Sequence, residues 1–572
     1  MTNYNKSPMT KIKGQENTCI VGKEDIIQTL KTAIKDKKTI VFDTYVGVYD
    51  DEILAILKAL NPKTIIDMKS IFKEEETITE QLKAHLTDDR TFGKMYYGEV
   101  LDFMEEDKLE QARAQVQKAD DLTFVYGFGA SLVTKGDLLV YFDMARWEIQ
   151  LRYRKGMGNY KCSNFDEESL RKNKRGYFIE WRIADKHKMT VFNDVDFFID
   201  TNIENHPKMV TGQALREGLK QIAKQPFRTV PYFDPGVWGG QWMKEVCGLD
   251  PEKPNYAWSF DGVPEENSLY LDFENDYIEI PAMDLVLYQP VQLLGEHVYS
   301  RFGAEFPIRF DFLDTIDGQP LSLQVHPLTE YIKKEFGMTY TQDESYYILD
   351  AKEGAHVFLG IKEGIDPQSM IDDLRKANKG EILFDAEKYI NKFPAKKHDH
   401  FLIPAGTCHC SGNNAMVLEI SATPYIFTFK LWDWGRVGMD GKPRPINVER
   451  GKEVIQWNRT TDWVKENLVN AVYEVEKNEH YVEEHTGLHE LEFIETRRYW
   501  INDEITVQTK GNVNMLNLIE GKEAVIESPN HEFDPYIVHY AETFIVPASV
   551  KEYSIRSTDP NEKIGVIRAY VR

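Results

Sequence analysis

The sequence predicts a multidomain protein in which an α/β domain is followed by an all-β part. The chain has 572 residues, which exceeds the usual size of one core, and its 42% hydrophobic and 12% aromatic content is typical of a globular protein. Up to about residue 225, short apolar strands alternate with amphipathic helices. Beyond that point short strand-like segments follow one another with turns between them, as in antiparallel barrels and sandwiches.

Net charge bears on the binding partners that the protein can have, and cysteine content bears on its cellular compartment. The formal net charge of -24 argues against nucleic acid or an anionic membrane as a partner. No apolar segment is long enough to span a bilayer, and the first residues lack the apolar core of a signal peptide. The 5 cysteines are scattered and odd in number, which suits a reducing compartment. The sequence therefore predicts a cytoplasmic protein, and it leaves the oligomeric state open.

The first predicted domain covers residues 20–225. A helix that ends before Gln225-Pro226 closes it, because proline disfavours helix at the residue before it. The alternation of elements predicts an open, mostly parallel sheet. Helices are expected at 23–34, 53–60 and 212–224, and strands at 39–42, 64–66, 122–126, 138–142 and 196–199.

Two segments of this domain raise the question of a bound phosphate. Residues 43–51 follow a strand where a phosphate loop would lie, but they hold one glycine, no lysine and aspartates that repel phosphate. Residues 127–131, a following strand and the basic segment 146–155 loosely resemble the later strands and the arginine-rich lid of nucleoside-monophosphate-kinase-like domains. This resemblance implies a degenerate kinase-like domain that does not transfer phosphate and serves packing, assembly or regulation.

The second part has the pattern of an antiparallel β protein with a helical insertion. Asp366-Pro367 has the form of an N-cap followed by proline at the first helical position, and Met370, Ile371 and Leu374 form the predicted buried stripe. Strands are expected at 270–272, 277–280, 306–313, 345–349, 355–359, 400–403 and 416–420.

Four polar residues on three of the predicted strands could hold a metal ion. In Leu321–Pro327 apolar and polar residues alternate, so Gln324 and His326 share one strand face. Glu344 opens a later strand, and His409 follows a Pro-Ala-Gly turn. Two imidazoles, a carboxylate and an amide oxygen suit zinc, with other divalent first-row metals as alternatives. Taken singly, Gln324 and His326 are better explained as ordinary hydrogen-bonded polar groups, and Glu344 is better explained as a solvated acid.

Other histidines and cysteines lie close to these candidates. Alternation turns Cys408 and Cys410 away from the face of His409, so both thiols are predicted to be buried packing residues. His398 and His400 precede the turn in a basic loop, and we expect them to be exposed.

Six separated motifs resemble those of type I phosphomannose isomerases in order and rough spacing. The resemblance extends from about residue 230 to the C-terminus. The motifs are Trp238-Gly239-Gly240, Tyr256-Ala257-Trp258-Ser259, Gln324-Val325-His326-Pro327, Glu344 with the following Tyr-Tyr, Pro404-Ala405-Gly406-Thr407-Cys408-His409 and Trp432-Asp433-Trp434-Gly435-Arg436.

This resemblance implies a double cupin, with a catalytic cupin at 226–465 that carries the helical insertion and a second cupin at 466–572. It implies the interconversion of mannose 6-phosphate and fructose 6-phosphate through an enediol, with one zinc ion as cofactor and a sugar phosphate as the small-molecule partner. The zinc ligands would be Gln324, His326, Glu344 and His409, and Arg436 would be the active-site arginine.

An aldose–ketose isomerase also needs a base and a site for the phosphate. Glu419 follows an apolar run in which burial could raise its pKa, so it is the candidate base, with a hydrogen-bonded structural acid as the alternative. Lys442 and Arg444 are the candidate phosphate ligands, with a solvated loop as the alternative. Arg436 would stabilise the enediolate or orient the substrate.

One position departs from the family pattern. Asp311 stands where the family usually carries a lysine, and Arg309, on the same strand face, could supply the missing cation while pairing with Asp311. If it does not, part of the phosphate site is lost. Two alternatives to the phosphomannose isomerase hypothesis are therefore a non-catalytic sugar-binding or regulatory cupin protein and an isomerase of an unphosphorylated sugar.

Overall fold

The computed structural model of the chain describes residues 3–424, 426–437, 444, 446–487 and 489–572. They divide into two compact units, each of which is built from more than one stretch of chain. The α/β unit comprises Met9–Ala223 and Ser268–Gln289, and the β unit comprises Met1–Pro8, Lys224–Asn267 and Pro290–Arg572. None of the helices within these described ranges is long and apolar enough to cross a membrane.

The first stretch of the α/β unit contains eight strands and eight helices. They are β1 (Met9–Lys11), β2 (Ile20–Val21), α1 (Lys23–Ala33), β3 (Thr39–Thr44), α2 (Asp50–Ala59), β4 (Thr64–Asp67), α3 (Glu75–Leu86), α4 (Glu106–Lys118), β5 (Thr123–Gly127), β6 (Leu138–Asp143), α5 (Arg146–Arg154), α6 (Ser169–Arg175), α7 (Trp181–Val191), β7 (Phe197–Asp200), β8 (Lys208–Thr211) and α8 (Gly212–Ile222).

The central sheet of this unit has seven strands in the order β2-β8-β7-β6-β3-β5-β4. Strands β3 to β7 are mutually parallel, and β8 and β2 continue the sheet in antiparallel pairing. The sequence of β3, Thr-Ile-Val-Phe-Asp-Thr, is buried almost throughout, as expected for a central strand of a parallel sheet. The predicted mostly parallel sheet is therefore confirmed, whereas its kinase-like character stays a prediction.

A buried carboxylate occupies the end of β3, where a phosphate loop would begin. Asp43 accepts hydrogen bonds from the backbone N–H groups of Gly129 (2.9 Å) and Ser131 (3.0 Å) and from the Ser131 hydroxyl (2.6 Å). His187 Nε2 lies 2.8 Å from the same carboxylate. Burial alone would raise the pKa of Asp43, but His187 and these donors hold it below its usual value. The donors of the 127–131 turn are thus used by a side chain of the protein itself.

Six further elements follow along the chain. The first three belong to the β unit, and the last three belong to the second stretch of the α/β unit. In chain order the six are β9 (Tyr232–Asp234), α9 (Trp242–Val246), β10 (Trp258–Gly262), β11 (Ser268–Asp272), β12 (Tyr277–Pro281) and α10 (Ala282–Tyr288).

The hairpin of β11 and β12 differs from the sequence-based division, which placed it in the second domain. In the structure β1, β11 and β12 form a three-stranded sheet within the α/β unit, and β1 pairs with β11 in parallel. Glu279 of β12 donates its N–H to the Asp200 carboxylate (2.8 Å), and Asn202 donates to the Glu279 carbonyl (3.0 Å). These contacts join segments far apart in sequence, so strand patterns alone could not assign the hairpin.

The next part of the β unit holds the helical insertion and nine more strands. Its elements are α11 (Pro290–Leu294), α12 (Glu296–Phe302), β13 (Ile308–Asp314), β14 (Leu323–Val325), α13 (Thr329–Phe336), β15 (Glu344–Ala351), β16 (His356–Ile361), α14 (Pro367–Asn378), α15 (Ala386–Tyr389), β17 (Ile390–Pro394), β18 (His400–Ile403), β19 (His409–Ser411), β20 (Ala415–Ala422), β21 (Phe429–Trp432), α16 (Val448–Val454) and α17 (Thr461–Asn467).

These strands form two antiparallel sheets, which we call the first sandwich. One sheet has the order β18-β15-β20-β13-β10-β9 and the other β17-β16-β19-β14-β21. The predicted helical insertion is confirmed as α14. As predicted, Asp366 caps this helix, because its carboxylate accepts a hydrogen bond from the Ser369 N–H at 2.9 Å. Met370, Ile371 and Leu374 are buried on its inner face, as predicted.

The C-terminal strands form a second pair of antiparallel sheets, the second sandwich. Its sheets have the orders β22-β23-β24-β31-β26-β29 and β25-β30-β27-β28, and apolar residues from both sheets pack into one core. Its strands are β22 (Tyr473–Lys477), β23 (Tyr481–His485), β24 (Ile494–Ile501), β25 (Glu504–Gln508), β26 (Asn514–Glu520), β27 (Glu523–Glu527), β28 (Tyr536–His539), β29 (Thr543–Val546), β30 (Glu552–Ser557) and β31 (Ile564–Val571).

Candidate metal centre

Strand β14 directs a line of polar side chains into the first sandwich. Leu323 and Val325 are fully buried on one face, so period two turns Gln324 and His326 to the other. β14 pairs with β19, and Gln324 lies directly opposite His409 in that pairing. The side chains of such a pair are close enough to touch, and here Gln324 Nε2 is 3.2 Å from His409 Nε2.

Glu344 reaches the same point from the opposite sheet. It is the first residue of β15, and its carboxylate lies between two imidazoles. Oε2 is 3.1 Å from His326 Nε2, and Oε1 is 2.6 Å from His409 Nε2. The structure therefore brings Gln324, His326, Glu344 and His409 together, and we call these residues the four-donor site.

Hydrogen bonds on the far side of both rings orient the histidines. His326 Nδ1 lies 3.2 Å from the Phe427 carbonyl, and His409 Nδ1 lies 2.8 Å from the Thr407 carbonyl. Because a carbonyl can only accept, each Nδ1 carries its hydrogen and donates it. A ring that binds a cation has its lone pair on the other nitrogen, Nε2, which is the one that faces Glu344. This is the tautomer that metal-binding histidines adopt.

Burial and charge make the four-donor site suited to a cation. Gln324 is 9% exposed, and the other three side chains are exposed by 1% or less. Burial opposes ionisation of Glu344, but the imidazoles of His326 and His409 outweigh it and hold the pKa of that carboxyl well below its usual range. His326 Nε2 and Glu344 Oε1 are buried without a hydrogen bond of acceptable geometry among the described residues.

A divalent ion would satisfy these atoms, so the residues present fit a metal. His326, Glu344 and His409 can each place a ligand atom within 4.8 Å of the others. Gln324 can join them by rotating its amide, which exchanges Nε2 for the carbonyl oxygen. Nitrogen and oxygen donors without thiolate are typical of catalytic rather than structural zinc sites.

A second buried group, the ion cluster of Arg309, Asp311 and Glu419, lies on the same sheet face as Glu344. Asp311 is directly opposite Glu419 in the pairing of β13 with β20. Arg309 Nη2 is 2.7 Å from Asp311 Oδ2 and 3.6 Å from Glu419 Oε1. Ser421 donates a hydrogen bond to Glu419 (2.8 Å) and lies opposite Glu344 in the pairing of β20 with β15.

The two carboxyls of the ion cluster differ in proton affinity. Burial raises the pKa of Asp311 to about 6. Burial, together with the charges of Asp311 and Glu344, raises the pKa of Glu419 well above its usual value. The cluster thus holds two carboxyls of unequal proton affinity side by side, which is the arrangement of an acid–base pair.

The predicted arginines of the later motif meet at one carboxylate, Asp433. Arg436 Nη2 donates to Asp433 (2.7 Å) and Nη1 to the Pro320 carbonyl (2.8 Å). Arg444 Nη1 donates to Asp433 (2.9 Å) and to the Ser322 hydroxyl (3.2 Å). Arg444 thus bonds a residue that precedes Gln324 by two positions, which is about 7 Å along an extended chain. Lys442 lies outside the described residues.

Two expectations about neighbouring residues have different outcomes. Cys408 and Cys410 are buried and unpaired, as predicted, and burial raises the pKa of both thiols. The expected exposure of His398 and His400 is wrong. His400 is fully buried at the start of β18 with Nε2 2.8 Å from the Ser345 hydroxyl, and His398 is half-buried beside Tyr347. Strand pairing with β15 covers His400, which the basic loop sequence did not indicate.

Asp433 is the site residue that the sequence interpretation did not single out. It lies inside the motif Trp432–Arg436, between two tryptophans, and is buried. The sequence could have indicated Asp433, because it precedes Arg436 by three residues and oppositely charged residues at that spacing often pair.

Comparisons with known proteins add two independent findings. Residues 22–224 match a family model described as a domain of unknown function, DUF8485. Among curated proteins, mannose-6-phosphate isomerase of Streptococcus mutans is 26% identical over 223 residues, covering 38% of this chain and 64% of that protein. Mannose-6-phosphate isomerase ManA of Bacillus subtilis is 24% identical over 245 residues, covering 41% of this chain and 69% of that protein.

Solved structures include a mannose 6-phosphate isomerase of Bacillus subtilis with a TM-score of 0.49 and 17% identity, covering 61% of this chain and all of that one. The chain thus spans about two thirds of the length of the two curated relatives. The predicted resemblance to type I mannose-6-phosphate isomerases is confirmed over that part of the chain.

Proposed function

We propose that this protein is a metal-dependent aldose–ketose isomerase that interconverts mannose 6-phosphate and fructose 6-phosphate, and that its two sandwiches are a double cupin. The observation that carries the proposal is the convergence of Gln324, His326, Glu344 and His409 on one buried point. The curated relatives that share part of this chain are mannose-6-phosphate isomerases, which supports the reaction and the substrate.

The four-donor site would hold a single divalent ion, and its chemistry favours zinc. Glu344 supplies one negative charge, and Gln324, His326 and His409 are neutral donors, so the loaded site keeps a net positive charge. Such an ion polarises the sugar oxygens and stabilises the negative charge that develops on them in the enediolate. The Nδ1 hydrogen bonds of the two histidines hold their Nε2 atoms in position for this role.

The ion cluster would move the protons. Isomerisation takes a proton from one of two adjacent carbons and returns it to the other, and it moves a second proton between their oxygens. Asp311, whose pKa of about 6 leaves it ionised at neutral pH, can accept a proton. Glu419, whose pKa is raised well above its usual value by burial and by the charges of Asp311 and Glu344, has the higher proton affinity and can donate one. We therefore assign acid–base catalysis to Glu419 with Asp311 as its partner.

Arg309 pairs with Asp311, as its place on the same strand face predicted. Its guanidinium bonds Asp311 and lies close to Glu419, so we assign it to positioning the acid–base pair, from where it can also face the substrate. The phosphate would be bound by Arg436 and Arg444, with Lys442 as the further predicted ligand. Both arginines are already oriented by Asp433, and a guanidinium fork matches the oxygens of a phosphate.

Deuterium incorporation tests the proposal. Zinc-loaded protein is incubated with mannose 6-phosphate in heavy water, and the product is analysed by NMR. We expect fructose 6-phosphate with deuterium at the carbon that received the proton, because the enediol exchanges its proton with carboxyl groups that equilibrate with solvent. His326→Ala should abolish product formation. Absence of product from a zinc-loaded wild-type protein would overturn the proposal in favour of a non-catalytic sugar-binding role.

One observation favours a second candidate, an isomerase of an unphosphorylated sugar. The ion cluster contains two carboxyls and a single arginine, so it offers an anionic substrate no free cation beside Glu419. A neutral sugar would not require one. The ratio of kcat/KM for mannose 6-phosphate to that for mannose decides between the two. A ratio above one supports the sugar phosphate, and a ratio below one supports the free sugar.

A further inference from the structure

A cavity of the α/β unit is lined by none of the residues of the four-donor site. Its volume is about 810 Å³, within the range of small-molecule binding sites. Thr44, Phe142 and Thr201 line it at the carboxyl ends of β3, β6 and β7. Ligands of open parallel sheets bind at this edge, so the position is that of a binding site.

A fully buried arginine joins two segments of the cavity lining. Arg152 donates to the carbonyls of Gly47 (3.0 Å) and Thr201 (2.7 Å), which ties the loop after β3 to the end of β7. Its guanidinium also lies 4.1 Å from the centre of the Tyr49 ring, which lines the cavity. The loop is therefore already ordered without a ligand, which reduces the entropy that binding would cost.

One hydroxyl of the cavity lining has no partner. The backbone N–H of Thr44 donates to the Asp43 carboxylate (2.9 Å), whereas within the described ranges the Thr44 hydroxyl makes no hydrogen bond. A ligand in the cavity could pair with this hydroxyl.

Carboxyl groups at the start of helix α2 disfavour a phosphate ligand in this cavity. Helix α2 begins at the cavity with Asp50, Asp51 and Glu52 in its first turn, so the position that attracts phosphate in other proteins carries three carboxyls. Burial and the nearby Glu204 raise the pKa of Glu52, as expected where negative charges crowd together.

Neither sign of charge dominates the remainder of the wall. Lysines 23, 69 and 161 also line the cavity. Lys69 is paired with Asp50, and Lys161 donates to a backbone carbonyl at 3.0 Å. Aromatic faces complete the lining, among them Tyr49 and the 57% exposed Phe165 at the mouth.

We propose that this cavity binds a neutral, hydroxyl-rich molecule, of the size of a mono- or disaccharide. Hydroxyl groups both donate and accept, which matches a wall that offers carboxylates, ammonium groups and the unpaired Thr44 hydroxyl. The apolar faces of a sugar ring would pack on Tyr49 and Phe165. The proposal does not depend on the function of the β unit.

Calorimetric titration of the full-length His326→Ala protein tests this proposal, because that substitution removes a residue of the four-donor site. The probes are mannose, glucose, fructose and mannobiose, with mannose 6-phosphate and ATP as anionic probes. We expect saturable binding of at least one neutral sugar and weaker or no binding of the anions. Asp51→Asn and the isosteric Thr44→Val should each weaken binding about tenfold, the loss expected for one hydrogen bond to a charged or buried group.

Asp120→Asn is the matched control, since Asp120 is almost fully exposed on the same unit. It should leave sugar binding unchanged. Circular dichroism shows whether each variant is folded. If Thr44→Val is unfolded, the comparison of Asp51→Asn with the control decides the test. The proposal is overturned if no neutral sugar binds, if the anions bind more tightly than the sugars, or if Asp51→Asn and Asp120→Asn bind equally well.

Discussion

The sharpest prediction concerns the charge of Glu344. Replacing it by glutamine keeps the size of the side chain but removes the negative charge between His326 and His409. A unit charge about 4 Å from another, at an effective dielectric constant of about 20, is worth about 4 kcal/mol. A divalent ion doubles this energy, and the amide dipole of glutamine recovers part of it. We therefore take about 4 kcal/mol as the net loss, which is about a thousandfold in affinity.

The assay is competition for zinc with a chromogenic chelator at fixed pH. Glu344→Gln should bind zinc about a thousandfold more weakly than the wild type. Glu419→Gln is the matched control, because Glu419 is also buried on the same sheet face but is not one of the four donors. It should keep zinc affinity within about tenfold of the wild type and lose turnover. Equal zinc affinity in Glu344→Gln and the wild type would refute the metal assignment.

Three further substitutions test the surroundings of the site. Arg309→Met should lower the free energy of unfolding, measured by urea titration, by about 3–5 kcal/mol, because it leaves the buried Asp311 and Glu419 without their cation. Adding Asp311→Leu to this variant should restore part of the lost stability. Burial lowers the pKa of His400 to about 3, so below pH 6.5 the unfolded chain binds a proton that the folded protein refuses. As the pH is lowered from 6.5 to 3, this proton uptake should lower the free energy of unfolding by up to about 1.4 kcal/mol per pH unit. Urea titrations at several pH values should show that His400→Gln lacks this contribution. Arg436→Lys should lower kcat/KM for mannose 6-phosphate at least about tenfold, because lysine cannot reproduce the planar fork that bonds two acceptors at once.

Each of these substitutions has a control of the same chemistry elsewhere in the β unit. Lys352→Met removes an exposed, paired cation and should change stability by less than about 1 kcal/mol. His531→Gln, at an exposed position, should keep the wild-type dependence of stability on pH. Arg556→Lys, in the second sandwich, should keep wild-type kcat/KM. If a control and its partner variant behave alike, the physical reason given for that partner is wrong.

Elements whose signals are local were predictable from the sequence. The cap and proline of α14 are adjacent residues, and the helix begins where they indicate. The alternation in residues 321–327 predicted which side chains of β14 share a face, and the structure shows Gln324 and His326 on that face. Period two needs no knowledge of the partner strand, which is why this part of the site could be anticipated.

Features that depend on strand pairing could not be predicted. The β11–β12 hairpin belongs to the α/β unit because β11 pairs with β1, more than 250 residues away in sequence. His400 is buried because β18 lies against β15, although its neighbours Lys396 and Lys397 indicated an exposed loop. The closeness of Asp311 to Glu419 likewise results from the register of β13 with β20. No local pattern carries that information.

The central claim is that the four-donor site holds a single divalent ion on which turnover depends. Elemental analysis of the purified chain, combined with turnover on mannose 6-phosphate before and after chelation, tests it most directly. We predict one ion per chain, loss of turnover with the chelator and recovery when zinc is returned. Undiminished turnover in protein shown to be free of metal would contradict the claim.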